Sequence, residues 1–176
     1  MKSNYSIIAN FFINDKETLQ RMRDSAFSFK DAKYKIWIIN IRGAYKEEAS
    51  HFLKKLIPTK CKISFHDFQD WQKETKLIIN EVSTDFILFW VEDHILQTEC
   101  NVLDEVIFEM EKRESDFLLY TFFCFGYHKK VYDSLDSHTL KNDRYISTFK
   151  LSISEYFKIM ELRDIHPYLN QYVTAL

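Results

Sequence analysis

Glu92, Asp93 and His94 follow directly on Phe86–Val91, an unbroken run of six apolar or aromatic residues. Ordinary strands end in Gly, Asn or Pro, whereas this one ends in groups that can hold a cation. A hard divalent ion takes oxygen ligands, and Mg²⁺ commonly uses only one or two carboxylates while phosphate oxygens and water complete its shell. Glu92 and Asp93 are therefore the candidate metal ligands. Side chains alternate along an extended chain, so one of the two acids is favoured to face a site, and Asp93 is taken first. The sequence has no GxGxxG after its first strand and no GxxxxGK[ST], the two loops that cradle phosphates with backbone N–H groups. A diphosphate bound here would need a cation as its neutralising charge. The bland alternative is that both acids open a solvated loop and that His94 is a cap or packing residue.

The elements that must position these groups alternate in type. Residues 5–11, 34–41, 61–65, 86–91 and 117–125 read as strands, rich in Ile and aromatics. Helices are predicted at 14–29, 45–57, 70–83 and 101–114. In the first, Asn14 is read as the cap, with Glu17 as the acid of a capping box, and Leu19, Met22, Ala26 and Phe29 fall at helical spacing. In the second, Ala49, Phe52, Leu53 and Leu56 share a face before Pro58. This β-α-β order predicts an α/β fold, a mostly parallel central sheet with helices on both faces, and apolar runs that suit strands buried on both sides. Ligands of such sheets bind beyond the carboxyl ends of the strands, where Glu92 and Asp93 stand. After residue 125 the pattern loosens; a further strand (145–152) and a helix (153–165) are read before Pro167.

At 176 residues the chain is long enough for one domain with a sizeable core. A net charge of −2 argues against a nucleic-acid partner, which is met by a basic face. The 16 Phe and 10 Tyr predict a core built from aromatic volume. Cys61, Cys100 and Cys124 are odd in number and lack zinc-ligand spacing, so they read as reduced, buried thiols, and a cytoplasmic location is expected. No stretch has the length and uniform apolarity of a membrane span.

The stretch "WQKETKLIINEVSTDFILFWVEDH" resembles the helix, strand and DxD segment of family 2 glycosyltransferases with a GT-A fold, and "SIIANFFINDKETLQRMRDSAFSF" is similar to their opening strand and helix. "KIWIINIRGAYKEEASHFLKKL" is similar to their second strand and helix. The resemblance covers roughly residues 5 to 97 and implies a single GT-A-like domain, with 1–97 as the nucleotide-binding half and 98–176 as a reduced acceptor half. It implies a metal-assisted hexosyltransferase of polysaccharide biosynthesis, moving a sugar from a nucleotide diphosphate to the hydroxyl of a carbohydrate or lipid-linked acceptor, with Mg²⁺ or Mn²⁺ as cofactor and a membrane-peripheral setting. Carried over residue by residue, Asp93 stands at the last Asp of DxD, with Val91 in place of the first. Asn40 stands where the family has a base-contacting Asp, and Asn10 lies in the Ala9–Phe12 stretch that takes the place of the family's Pro-Thr-Tyr-Asn. Asp67 and Lys76 are the further nucleotide contacts, at the sheet edge and on the third helix. The base that accepts the acceptor proton is expected in the C-terminal half, at Asp143 or Glu155, with Asp143 preferred.

The reading from another class is a GT-A-like domain that binds a sugar nucleotide or a partner without transferring anything; Asn40 and Val91 favour it. A response-regulator arrangement of Asn14, Asp15 and Asp67 fits loosely, and no GxSxG elbow supports a hydrolase. Among the aromatic residues, Tyr127 and Trp90 are the candidates for stacking a sugar ring at an edge.

Overall fold

The computed structural model describes residues 5–32, 35–57, 60–96 and 99–114, with short pieces at 141–142, 147–148 and 154. The predicted strand 117–125, Tyr127, Asp143 and Glu155 lie outside the described residues. The chain divides into two compact units, residues 1–104 and 105–176.

Within the first unit the elements run β1 (Tyr5–Phe12), α1 (Lys16–Ser28), a 3₁₀ turn (Lys30–Ala32), β2 (Ile36–Arg42), α2 (Lys46–Leu56), β3 (Cys61–Ser64), α3 (Trp71–Ile79) and β4 (Phe86–Phe89). The helix α4 (Cys100–Lys112) begins there and continues into the second unit. The second unit also holds β5 (Lys141–Asn142) and β6 (Ser147–Thr148), which pair antiparallel.

Strands β1 to β4 form one sheet in the order β3-β2-β1-β4, every pair parallel. This is the α/β arrangement with a parallel sheet that the sequence predicts. The chain steps outward from β1 to β2 and β3 and then returns to the other side of β1, so the switch point lies between β1 and β4.

The period-two alternation of β1 and β2 sorts residues onto two faces. Ile7, Ala9, Phe11, Trp37, Ile39 and Ile41 share one parity and are fully buried. Phe29, at the end of α1, meets Trp37 edge-on at 6.1 Å, and Trp37 meets Trp90 at 5.2 Å. The aromatic core expected from composition sits here, and it includes Trp90, which is 1% exposed. Trp90 is thus a core residue, which corrects its reading as an edge platform for a sugar: its ring turns inward against Phe11 at 4.7 Å. The opposite parity carries Ile8 and Ile38, which cluster with Ile78 of α3. Helices therefore cover both faces.

Two local features differ from the sequence reading. Asp15, not Asn14, caps α1: its carboxylate accepts from Thr18 N at 2.7 Å and from Thr18 Oγ1 at 3.1 Å. Asn14 lies one residue too early and accepts from Ala44 N at 3.3 Å instead, which ties the β1 loop to the β2 loop. Those loops meet at Gly43, whose φ is +97° and where a Cβ would stand 2.4 Å from the Ile13 carbonyl oxygen. Only glycine fits both that backbone and that approach.

Candidate functional site

The carboxyl ends of β1, β2 and β3 carry a row of polar side chains. The register pairs Asn10 with Asn40 and Asn40 with Ser64, so three polar residues lie side by side across the three strands. Asn40 is completely buried. Its amide nitrogen donates to Asn10 Oδ1 at 3.0 Å and to the His66 carbonyl at 2.9 Å. Its amide oxygen accepts from Ser64 Oγ at 3.1 Å and from His66 N at 2.7 Å. Both donors and the oxygen are thus engaged, which is what a buried amide requires. A carboxylate here would keep the acceptor role and face two oxygens where the amide now donates. That is a physical reason for Asn rather than Asp at this strand end.

The row continues onto α3. Asn10 Nδ2 reaches Thr75 Oγ1 at 3.2 Å, Glu74 Oε2 at 3.3 Å and the Trp71 carbonyl at 3.5 Å. Glu74 is fully buried. Its other oxygen accepts from Phe68 N at 2.7 Å, and Arg42 Nε stands 3.1 Å from Oε2. The Arg42 N–H is not aligned for a hydrogen bond, so the contact is one of charge with charge. A buried carboxylate without such partners would be expelled or protonated; here a cation, a backbone N–H and an amide surround it. The Arg42 guanidinium also lies over the Phe12 ring, 5.4 Å from its centroid.

The effect of these contacts is to fix the loop between β3 and α3. Asn40 holds His66 by both backbone groups, Glu74 holds Phe68, and Asp70 caps α3 by accepting from Lys73 N at 3.1 Å. Asp67 projects from this loop into solvent. Lys76 is exposed on α3, two residues round the helix from Glu74 and so on its outward side.

On the other side of the switch point, β4 stops at Phe89, Trp90 enters the core, and Val91–His94 form a turn closed by His94 N donating to the Val91 carbonyl at 3.1 Å. Glu92 and Asp93 occupy its two corner positions. Asp93 is largely solvent-exposed, with His94 Nε2 3.9 Å from its Oδ1. The backbone of this segment is tied to α1. Ser25 Oγ donates to the His94 carbonyl and accepts from Trp90 Nε1 at 2.7 Å, and Ser28 Oγ accepts from Leu96 N at 2.9 Å.

The structure therefore joins Asn10 and Asn40 directly and hangs Asp67 beside them. It sets Glu92 and Asp93 across β1 and points Lys76 away from Glu74. Among the described residues no three His, Cys, Asp or Glu side chains converge as a ready metal cage. A turn with two adjacent carboxylates fits an ion that draws most of its ligands from a diphosphate and water. A shallow groove of about 500 Å³ opens elsewhere, at the amino ends of β2 and β3 between Ile36, Ile38, Cys61 and Glu81, and gathers no such chemistry. Burial pushes the Cys61 thiol up to about 11, so it is protonated and unreactive at neutral pH; burial also raises Cys100.

Sequence reasoning missed Glu74, Arg42, Ser25 and Ser28. The signal for Glu74 was its spacing four residues before Ile78, which puts an acid on the core stripe of its helix. Among the described residues no helix is long and apolar enough to cross a membrane. Compared with family models, with curated proteins and with solved structures, the chain matches none.

Proposed function

We propose that the carboxyl edge of this sheet binds the nucleotide diphosphate of a sugar donor and that the chain is a GT-A-like glycosyltransferase. The observation that carries this reading is the all-parallel order β3-β2-β1-β4, whose switch point is flanked by the Asn10–Asn40 row on one side and by the Glu92–Asp93 turn on the other. The carboxyl edge at such a switch point is where open α/β sheets take ligands. Asp93, with Glu92 beside it, would hold the Mg²⁺ or Mn²⁺; the ion supplies charge neutralisation to the departing diphosphate. Asp67, on its fixed loop, offers an acceptor to the nucleoside. Asp143 is the proposed base for the acceptor hydroxyl.

A second reading, a GT-A-like domain that binds without transfer, is favoured by one observation: every polar atom of the Asn40 side chain is engaged inside the protein. Titration calorimetry with uridine diphosphate and Mn²⁺ tests both. Saturable, metal-dependent binding lost in Asp93→Asn supports the site, and equal affinity in that variant removes Asp93 from it. Release of nucleoside diphosphate from a uridine diphosphate sugar separates the enzyme from the binding domain.

A further inference from the structure

The loop from Phe65 to Asp70 spends two core positions on its own backbone. Asn40 and Glu74, both fully buried, hold His66 and Phe68 by main-chain groups. Gln69 adopts φ +55°, a left-handed conformation that costs a non-glycine residue energy. The side chains so fixed all face water. Phe65 is 37% exposed, Phe68 48% and the adjoining Trp71 43%, and the His66 ring lies parallel to Phe68 at 5.6 Å. Leaving three large rings half-exposed, Trp71 edge-on to Phe89 at 6.0 Å, forgoes part of the burial that would otherwise stabilise the fold.

The residues between and directly after the rings are Asp67, Gln69, Asp70 and Gln72, all exposed, with planar groups able to accept hydrogen bonds. Rings interleaved with carboxylates and amides match a pyranose, which offers a C–H face for stacking and hydroxyl pairs for hydrogen bonding. Lys46 lies over Phe65 and Lys73 over Phe68, at 5.7 and 5.4 Å from the ring centroids. These two cations balance the two aspartates, so the surface has no net pull for a polyanion such as a nucleic acid.

We propose that the Phe65–Asp70 loop with Trp71 is a binding platform for a neutral glycan. In the transferase reading it places the acceptor; Asp67, which that reading gives to the nucleoside, is not needed here, and the platform of Phe65, Phe68, Gln69, Trp71 and Gln72 stands without nucleotide or metal. The probes are maltohexaose, cellohexaose and mannohexaose, each titrated against the full chain without metal. Trp37 and Trp90 are buried, so a blue shift and protection from acrylamide quenching report Trp71. Saturable binding of at least one probe is expected. Phe68→Ala, followed by fluorescence, and Trp71→Ala, followed by saturation-transfer NMR, should each weaken it about three- to tenfold. Phe27→Ala, an exposed ring on α1, should leave it unchanged. Binding of none of the three glycans overturns the proposal, as does equal binding by Phe68→Ala and Trp71→Ala. Displacement of a bound probe by a single-stranded oligonucleotide also overturns it in favour of a polyanion site. Both substituted rings are exposed, and circular dichroism verifies that each variant is folded.

Discussion

The two sides of the switch point solve one problem in opposite ways. Each must hold a loop at the carboxyl end of a strand. Beyond β2 and β3 the holding groups are buried side chains of the sheet and of α3: Asn40 and Glu74 reach out to the backbone of residues 66 and 68. Beyond β4 they are the hydroxyls of α1: Ser25 and Ser28 reach across to the backbone of residues 94 and 96. In both places the residues that could meet a ligand are not those that do the holding. Asp67, Phe68 and Trp71 on one side, and Glu92 and Asp93 on the other, are displayed by partners that are themselves saturated. Asn40, Glu74 and Ser25, polar side chains in the core, thus each fix a loop, and the groups proposed to meet a ligand stand on those loops.

Removing a holder should break the comparison most visibly on the β2–β3 side. Glu74→Ala leaves Arg42, itself only 14% exposed, facing no carboxylate, and frees Phe68 N. Breaking such a buried pair costs about 3–5 kcal/mol, to be read by urea unfolding. Glu74→Gln keeps an acceptor for Phe68 N and should lose less. Asn40→Asp comes next, at about 2–3 kcal/mol, because it opposes a carboxylate to Asn10 Oδ1 and the His66 carbonyl. A variant as stable as the natural chain at either position would mean that the network does not hold the loop.

On the β4 side the expected losses are smaller. Ser25→Ala leaves the buried Trp90 Nε1 and the His94 carbonyl each without this hydroxyl, at about 2 kcal/mol. Amide hydrogen exchange should rise across residues 90–96 and stay unchanged across 65–70. Equal protection in both loops would show that α1 does not set the acidic turn. Asp15→Ala removes the cap of α1 and with it part of the platform that carries Ser25. The Thr18 hydrogen bonds hold the Asp15 carboxyl below its ordinary value. Its stabilisation is therefore complete above the unfolded-state pKa and fades as pH falls through the lower folded-state value. Thermal melts of the variant and the natural chain should differ at neutral pH and converge in strong acid.

Strands β1 and β2 were legible because buried parallel strands are continuous apolar runs: residues 5–11 became Tyr5–Phe12 and 34–41 became Ile36–Arg42. The ends were less so. The run 86–91 continues past Phe89: Trp90 N still donates to the Ile8 carbonyl at 2.8 Å while its ring fills the aromatic core, and hydrophobicity alone does not mark where the pairing ends. Asn10 and Asn40 stood out as polar residues near strand ends. Their bonding to each other depends on β1 and β2 being neighbours in register, which no local pattern states. Ser25 and Ser28 gave no signal, because serines in a helix are ordinary and their partners lie more than sixty residues away in sequence.

The smallest effect on stability belongs to Asp93→Asn, and it sharpens the comparison most. The Asp93 side chain is 59% exposed and its backbone is held by the Val91–His94 turn and the α1 serines, not by its carboxylate. An exposed surface substitution of this kind changes unfolding free energy by less than about 0.5 kcal/mol. The same substitution should abolish Mn²⁺-dependent binding of uridine diphosphate. Asn40→Asp should do the reverse, losing stability first and binding only as far as the 65–70 loop shifts. If Asp93→Asn instead unfolds the chain, the carboxylate is a holder like Glu74, and the division between residues that fix a loop and residues that meet a ligand fails at the place where the transferase reading needs it.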